Sequence, residues 1–291
     1  MSKIAVQLLN RGFVLIPGFL DVKEIEALGE DYDESQFDQT VYTLGRATPQ
    51  TIELISQKIN TLLTEFDEIA KFHPSHFGGG TYFSTEKGIN FGWHQDHESY
   101  FVNQTHKHYL NIYIPIKKPE LDRTNLCVIP IDRFRERAPE AWSVLEWGGA
   151  STAQIEDGCT TISNDHAGGV LTKLDFELEE LCETPTLAAG DALLLRGDIF
   201  HRTQDNDTAR VALSVRAFNP DITVAKEHYE QSCPAKRWFQ ENNPMYEAIS
   251  QAFEDRHAMN LSDLLAFMFK ARQVREQAAK TKEYGLPFGT K

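Results

Sequence analysis

The spacing of hydrophobic positions changes period twice along this chain. Over residues 49–72, Ile52, Ile55, Ile59, Leu62, Leu63 and Phe66 recur three and four apart, the single apolar stripe of an amphipathic helix. Shorter helical patterns precede it at 4–10 and 21–32. From Thr81 onward the period falls to two, or the runs become short and wholly apolar: 81–84, 90–95, 108–116, 126–130, 169–173, 184–187, 191–196 and 210–218. Alternation buries one face of a strand and a continuous apolar run buries both. Between 244 and 282 the helical period returns, with Leu261, Leu264, Leu265 and Met268 on one face.

Many short strands separated by Gly, Pro, Asn and Asp predict two packed antiparallel sheets, a mostly β jelly roll with flanking α-helices. The N- and C-terminal helices are expected to cover one sheet and leave the open end of the roll accessible. The expected organisation is a single elaborated domain over 1–291. It has a helical N-terminal part at 1–79, a jelly-roll core at 80–220 with an insertion at about 131–167, and C-terminal helices at 221–291. The insertion is rich in Gly, Ser, Thr and Asp and carries Trp142 and Trp147; it is expected to form the wall or lid of a pocket, with 97–103 as the opposite wall.

Composition narrows the function classes. A chain of 291 residues, 41% hydrophobic, can bury a full core. Its net charge of −14, from 43 acidic and 29 basic residues, argues against tracking a phosphate backbone, so no nucleic-acid partner is expected. The basic run Arg133-Phe134-Arg135-Glu136-Arg137 is a local exception and reads as a solvated charged stretch. No run of eighteen apolar residues is present, so no membrane span is expected, and the first residues lack the apolar segment of a secretory signal. Cytoplasmic residence is the expectation. Cys127, Cys159, Cys182 and Cys233 form no Cys-x-x-Cys pair, which fits reduced thiols better than disulfides or zinc.

The chemistry concentrates in Trp93-His94-Gln95-Asp96 and in His201, far downstream. On a strand, His94 and Asp96 fall on one side and Gln95 on the other, so one ion can be gripped by an imidazole and a carboxylate. His201 ends the apolar run that follows Gly190-Asp191 and can supply a third ligand. Two histidines and one carboxylate on one face of a metal, with the opposite face open, suit a non-haem Fe(II) oxygenase. Arg210, Ala212, Ser214 and Arg216 share a face of the last long strand, and a guanidinium there can take a carboxylate through two parallel hydrogen bonds. The pairs His106/His108 and His228/Glu230 are weaker: the first lies in a polar loop, the second on a helical pattern whose i and i+2 positions diverge.

Four ordered blocks carry a family resemblance: the opening Asn10-Arg11-Gly12-Phe13-Val14-Leu15-Ile16-Pro17-Gly18-Phe19-Leu20 with the helix Asp21 to Leu28 after it, Trp93 to Asp96, Asn125-Leu126-Cys127-Val128-Ile129-Pro130, and His201 followed by Arg210 to Ser214. In these the chain resembles the Fe(II)/2-oxoglutarate-dependent dioxygenases, and among them the phytanoyl-CoA dioxygenase-like branch. The resemblance implies a double-stranded β-helix of the cupin-like type, with His94, Asp96 and His201 as Fe(II) ligands. It implies further that Arg210 holds the distal carboxylate of 2-oxoglutarate, with Thr203, Tyr113 and Asn111 beside it and Arg216 in reserve for that role. Leu126 stands where a glycine is usual, and the stretch from His201 to Arg210 is short.

The implied activity is O2-dependent hydroxylation of an unactivated C–H bond in a small-molecule metabolite, an amino acid, lipid or natural-product intermediate, with release of succinate and CO2. Desaturation and cyclisation use the same centre and stay open. Related halogenases lack the carboxylate ligand, so Asp96 points away from halogenation. Two other readings remain: a non-redox jelly-roll protein that binds a metal or a sugar, and a dioxygenase that modifies proteins. The oligomeric state is left open.

Overall fold

The computed structural model describes residues 1–34, 47–87, 91–96, 108–147, 151–164, 169–227, 249–267 and 270–271. Helix α1 (Lys3–Arg11) is capped by the Ser2 hydroxyl, which accepts from the Ala5 amide, and ends at Gly12 in the left-handed region (φ 80°). The chain then enters β1 (Phe13–Ile16). Two further helices follow, α2 (Val22–Glu34) and α3 (Pro49–Leu63). Thr48 caps α3 and Pro49 opens it, a start for which a rotationally fixed φ is already suited.

The strands β2 (His76–Ser84), β3 (Tyr109–Lys117), β4 (Leu126–Val128), β5 (Ser151–Glu156), β6 (Cys159–Asn164), β7 (Val170–Leu174), β8 (Ala192–Arg196), β9 (His201–Thr203) and β10 (Val211–Phe218) build two layers. One is a five-stranded antiparallel sheet in the order β1-β8-β3-β10-β2. The other consists of β4-β9 and β5-β6-β7, joined where His94 pairs with both Thr152 of β5 and His201 of β9. This is the expected jelly roll.

Alternation along the strands divides the core. Leu110, Ile112, Ile114, Leu194, Leu213 and Val215 point outward and pack under Leu8, Leu28, Ile55, Ile59 and Leu62 of the three helices. Tyr113, Leu193, Leu195 and Ala212 point inward, toward Val128, Ile162 and Leu174 of the second sheet. The helices are tied to the sheet by a buried polar link: the Asp31 carboxylate accepts from Tyr82 Oη at 2.7 Å and from the Thr48 amide at 3.1 Å. Burial, reinforced by that carboxylate, pushes the Tyr82 phenol far above its ordinary pKa, so it stays a donor.

Five stretches differ from the sequence expectation, the first being 90–95, whose described residues 91–95 form no strand but a single bridging position at His94. β2 begins at His76, inside a glycine-rich run that looks like a loop; a Cβ on Gly80 would lie 2.5 Å from Leu213 Cδ1 and 2.9 Å from Ile52 Cδ1, so the bare backbone lets α3 sit close on the sheet. The insertion expected at 131–167 is not loop: it holds α4 (Ile131–Arg137), α5 (Pro139–Leu145) and the β5-β6 hairpin. That hairpin turns at Asp157-Gly158, both at positive φ, as a two-residue turn with right-handed strand twist requires. Finally, 184–187 forms no strand beyond the single pairing of Glu183 with Val128, while β11 (Thr223–Ala225) and β12 (Ala258–Asn260) pair inside a C-terminal part expected to be helical. Val224, Ile249, Phe253, Leu261 and Leu264 make a separate cluster there, reaching the sheet through Phe218. Met268 lies outside the described residues. Among the described residues no helix is long and apolar enough to cross a membrane.

Gly12 gives a stability test. An added Cβ would lie 2.6 Å from Ile131 Cδ1, and φ 80° is itself unfavourable for a side chain. Gly12→Ala should lower the unfolding free energy by about 2–3 kcal/mol, from left-handed strain and overpacking together, read as a shift in the urea midpoint at unchanged slope.

Candidate metal centre

The centre begins as a backbone pairing. The His94 amide donates to the His201 carbonyl at 3.0 Å and the His201 amide returns the bond to His94 at 3.0 Å. Residues directly opposite in an antiparallel pair project their side chains to the same face, and the two imidazole centroids are 4.3 Å apart. Bonds from Gln95 N to Ser151 O (2.8 Å) and Ala153 N to Trp93 O (3.0 Å) extend the local ladder onto β5. Two residues along, Asp96 returns to the histidines' face, with Oδ1 3.7 Å from His201 Nε2. One donor atom from each of His94, Asp96 and His201 lies within 4.8 Å of the others.

The tautomers follow from neighbouring carbonyls. His94 Nδ1 lies 2.7 Å from Gly92 O and His201 Nδ1 lies 3.1 Å from Ile199 O. A carbonyl only accepts, so each Nδ1 carries the proton and each Nε2 keeps its lone pair for a metal. Asp96 and His201 are buried and His94 is half-buried. Phe91 packs against the His94 ring at 5.7 Å between centroids, and Phe83 against Phe91 at 6.2 Å.

Alternate residues support the strands from behind. Gln95, fully buried, donates to the Asp198 carbonyl at 2.8 Å, and the Asp198 carboxylate is held by Arg196 at 2.6 Å. Trp93 donates to Glu179 at 2.7 Å while the Arg202 guanidinium lies 5.1 Å from the Trp93 ring centre. In the former insertion, Trp142 packs on Phe134, and Phe134 stacks on Phe200 beside His201.

The sequence-predicted co-substrate residues separate into two groups. Asn111 donates to Asp96 Oδ2 at 3.3 Å, Ser214 Oγ donates to Asn111 Oδ1 at 2.8 Å, and Arg216 donates to Ser214 and stands 3.8 Å from Asp96 Oδ1. The second group surrounds Arg210, which is buried with its guanidinium carbon 5.5 Å from the Tyr113 ring centre. Arg210 Nε and Tyr113 Oη are both buried without a hydrogen-bond partner. Burial pushes the Tyr113 phenol up, opposed by the Arg210 charge. Thr203, also buried, accepts from the Phe91 amide at 3.3 Å.

One member of this second group carried no sequence signal. Lys118, half-buried just past β3, donates to the Arg123 carbonyl and, at 3.4 Å, to Thr124 Oγ1. Its pKa is lowered to about 8 by burial and then by the Arg210 charge, against Asp205, Asp122 and Glu120. The pairing of Val211 with Lys117 sets the ends of β10 and β3, and so the two cations, side by side.

The remaining expectations resolve simply. His108 Nδ1 accepts from the His73 amide at 2.8 Å, a structural bond. His106, His228, Glu230, Cys233 and the wall expected at 97–103 lie outside the described residues. Cys127, Cys159 and Cys182 are free thiols. Of the basic run, Arg133 pairs with Glu183 at 2.6 Å and Arg137 lies 3.9 Å from Asp175.

A jelly roll carrying His-x-Asp and a distal histidine at its open end is the architecture of the Fe(II)/2-oxoglutarate-dependent oxygenases. The chain belongs to the phytanoyl-CoA dioxygenase (PhyH) family, whose model matches residues 54–213. A comparison with curated proteins gives no match. Similar solved structures include the non-haem α-ketoglutarate-dependent carbocyclase SnoK from nogalamycin biosynthesis, at 15% identity over 76% of this chain and 85% of that one, TM-score 0.49. EvdO2 from Micromonospora carbonacea var. aurantiaca, complexed with 2-oxoglutarate, is 16% identical over 82% and 96%, TM-score 0.49. HygX from Streptomyces hygroscopicus, with nickel, 2-oxoglutarate and hygromycin B bound, is 13% identical over 75% and 88%, TM-score 0.47.

The centre predicts metal-dependent stability. Mn(II), a redox-inert stand-in for Fe(II), should raise the melting temperature of the wild-type protein through linkage; Asp96→Ala should remove that rise while leaving the metal-free melting temperature within a few degrees.

Proposed function

We propose that this protein is an Fe(II)- and 2-oxoglutarate-dependent oxygenase that hydroxylates an unactivated C–H bond of a small-molecule metabolite. The observation that carries the co-substrate half of this reading is the buried Arg210 with an unpartnered Nε beside an unpartnered Tyr113 hydroxyl. A buried cation and donor without acceptors are costly unless an anion completes them. The donor set His94, Asp96 and His201, two imidazoles whose Nδ1 atoms face carbonyls and one carboxylate, fits Fe(II).

In this reading His94, Asp96 and His201 hold the ferrous ion, and Arg210 takes the distal carboxylate of 2-oxoglutarate with Tyr113 and Thr203 beside it. When bound, the iron supplies the redox chemistry by which O2 and 2-oxoglutarate give succinate, CO2 and an oxidant strong enough to break a C–H bond. Arg210 fixes the direction in which the diacid enters, and Phe83 and Phe91 shield the His94 side from water. Lys118 adds positive potential beside Arg210 and so favours a doubly charged co-substrate. The whole chain is taken as one catalytic unit, in which α4, α5 and the β5-β6 hairpin brace the centre.

The deciding experiment is Fe(II)-dependent succinate formation from 2-oxoglutarate in the presence of a metabolite extract, with mass spectrometry for products that gain one oxygen. A non-redox binding protein would give neither product. Arg210→Gln should raise KM for 2-oxoglutarate by about 10- to 100-fold, the loss of one charge-assisted hydrogen-bonded contact, with metal binding unchanged. Lys118 is charged below about 8 and neutral above it. Affinity for 2-oxoglutarate should therefore weaken as pH rises through that value, and Lys118→Met should flatten the dependence in a binding titration.

A further inference from the structure

We propose that Arg216 is a positioning residue for the metal site: through a closed ring with Ser214 and Asn111 it fixes the Asp96 carboxylate for coordination through one oxygen, and it does not hold the co-substrate. This rests on the metal assignment above and adds a role to three side chains that the reaction otherwise leaves idle.

The ring is set by strand register. Arg216 pairs with Asn111 across β10 and β3, and Ser214 pairs with Tyr113 one step along the same inward face. Arg216 donates to Ser214, Ser214 donates to Asn111 Oδ1 at 2.8 Å, and Asn111 donates to Asp96 Oδ2 at 3.3 Å. The guanidinium closes the circuit 3.8 Å from Asp96 Oδ1. Each hydroxyl and amide acts as donor and acceptor at once, so the ring has one sense. Its effect on Asp96 is unequal: Oδ2 is occupied by the Asn111 amide, while Oδ1 faces His201 Nε2 at 3.7 Å. Oδ1 is the oxygen on the histidine side, where a metal shared with His201 would sit.

Position separates Arg216 from the co-substrate. Six residues of strand put its Cα about 20 Å from that of Arg210, and Arg216 contacts Asp96 and Ser214 where Arg210 lies over Tyr113. Outer-sphere partners of this kind tune metal affinity by about 10- to 100-fold.

The test compares Arg216→Gln, Arg216→Lys and Arg210→Gln in the full-length protein. Mn(II) affinity is measured by electron paramagnetic resonance without 2-oxoglutarate, and 2-oxoglutarate affinity by calorimetry at saturating Mn(II). Arg216→Gln should weaken Mn(II) at least tenfold and leave 2-oxoglutarate affinity within about twofold, with Arg216→Lys recovering part of the metal affinity; Arg210→Gln should do the reverse. Weakened 2-oxoglutarate binding with intact Mn(II) binding in Arg216→Gln would overturn the proposal, as would an equal loss of both. Absence of Mn(II) binding to the wild-type protein would instead remove the metal assignment beneath it.

Discussion

The centre depends on one pair of backbone hydrogen bonds, the reciprocal exchange between His94 and His201. Side-chain chemistry alone does not bring two histidines so distant in sequence together; the antiparallel pairing does, and it fixes which faces they share. His94 has no long strand of its own. It is held as the shared partner of β5 and β9, and it joins the two halves of the second sheet. A one-residue slip at this junction would turn Gln95 toward the metal and His94 toward Asp198. The buried bonds of Gln95 to Asp198 and of Asp198 to Arg196 resist that slip, because it would strand a charged pair in the core.

Much of this was legible beforehand, for reasons that can be named. The α3 stripe and the runs that became β3, β8 and β10 are period signals of the strongest kind, and strand alternation links His94 to Asp96, while His201 joined them through its place after an apolar run and the family resemblance. The β5-β6 hairpin was hidden because its strands are polar, with Thr, Ser and Gln facing a partly exposed surface, and because Asp157-Gly158 was the only marker of the turn. β2 was hidden by glycines whose value lies in contact across the sheet. Lys118 was hidden for a different reason. Its meaning comes entirely from Arg210, and no local pattern announces a neighbour that lies across a strand pairing.

The face shared by Arg210, Ser214 and Arg216 was visible as a face, but its division was not. Strand alternation alone puts both arginines on one face, and the family resemblance favours Arg210 with Arg216 in reserve; the third dimension gives Arg210 an aromatic ring and an unpartnered Nε, and Arg216 a carboxylate already in reach. The two cations therefore face different anions in the proposed reading: Arg216 stands by the carboxylate of Asp96, and Arg210 would take one from the co-substrate.

In the proposed reading, that asymmetry accounts for a buried guanidinium whose Nε has no hydrogen-bond partner among the described residues. An uncompensated buried guanidinium costs several kcal/mol, and a protein with 43 acidic residues had ample means to neutralise it. An internal carboxylate on Arg210 would stabilise the fold and close the site to a diacid. If Arg210 holds the co-substrate as proposed, an unpaired Nε places the cost of burial in the empty state and returns it on binding. Lys118 lies in the same positive field, its proton held less tightly through burial first and the Arg210 charge second. In the proposed reading a dianion would meet both charges at once, which would favour 2-oxoglutarate over a monocarboxylate of similar size.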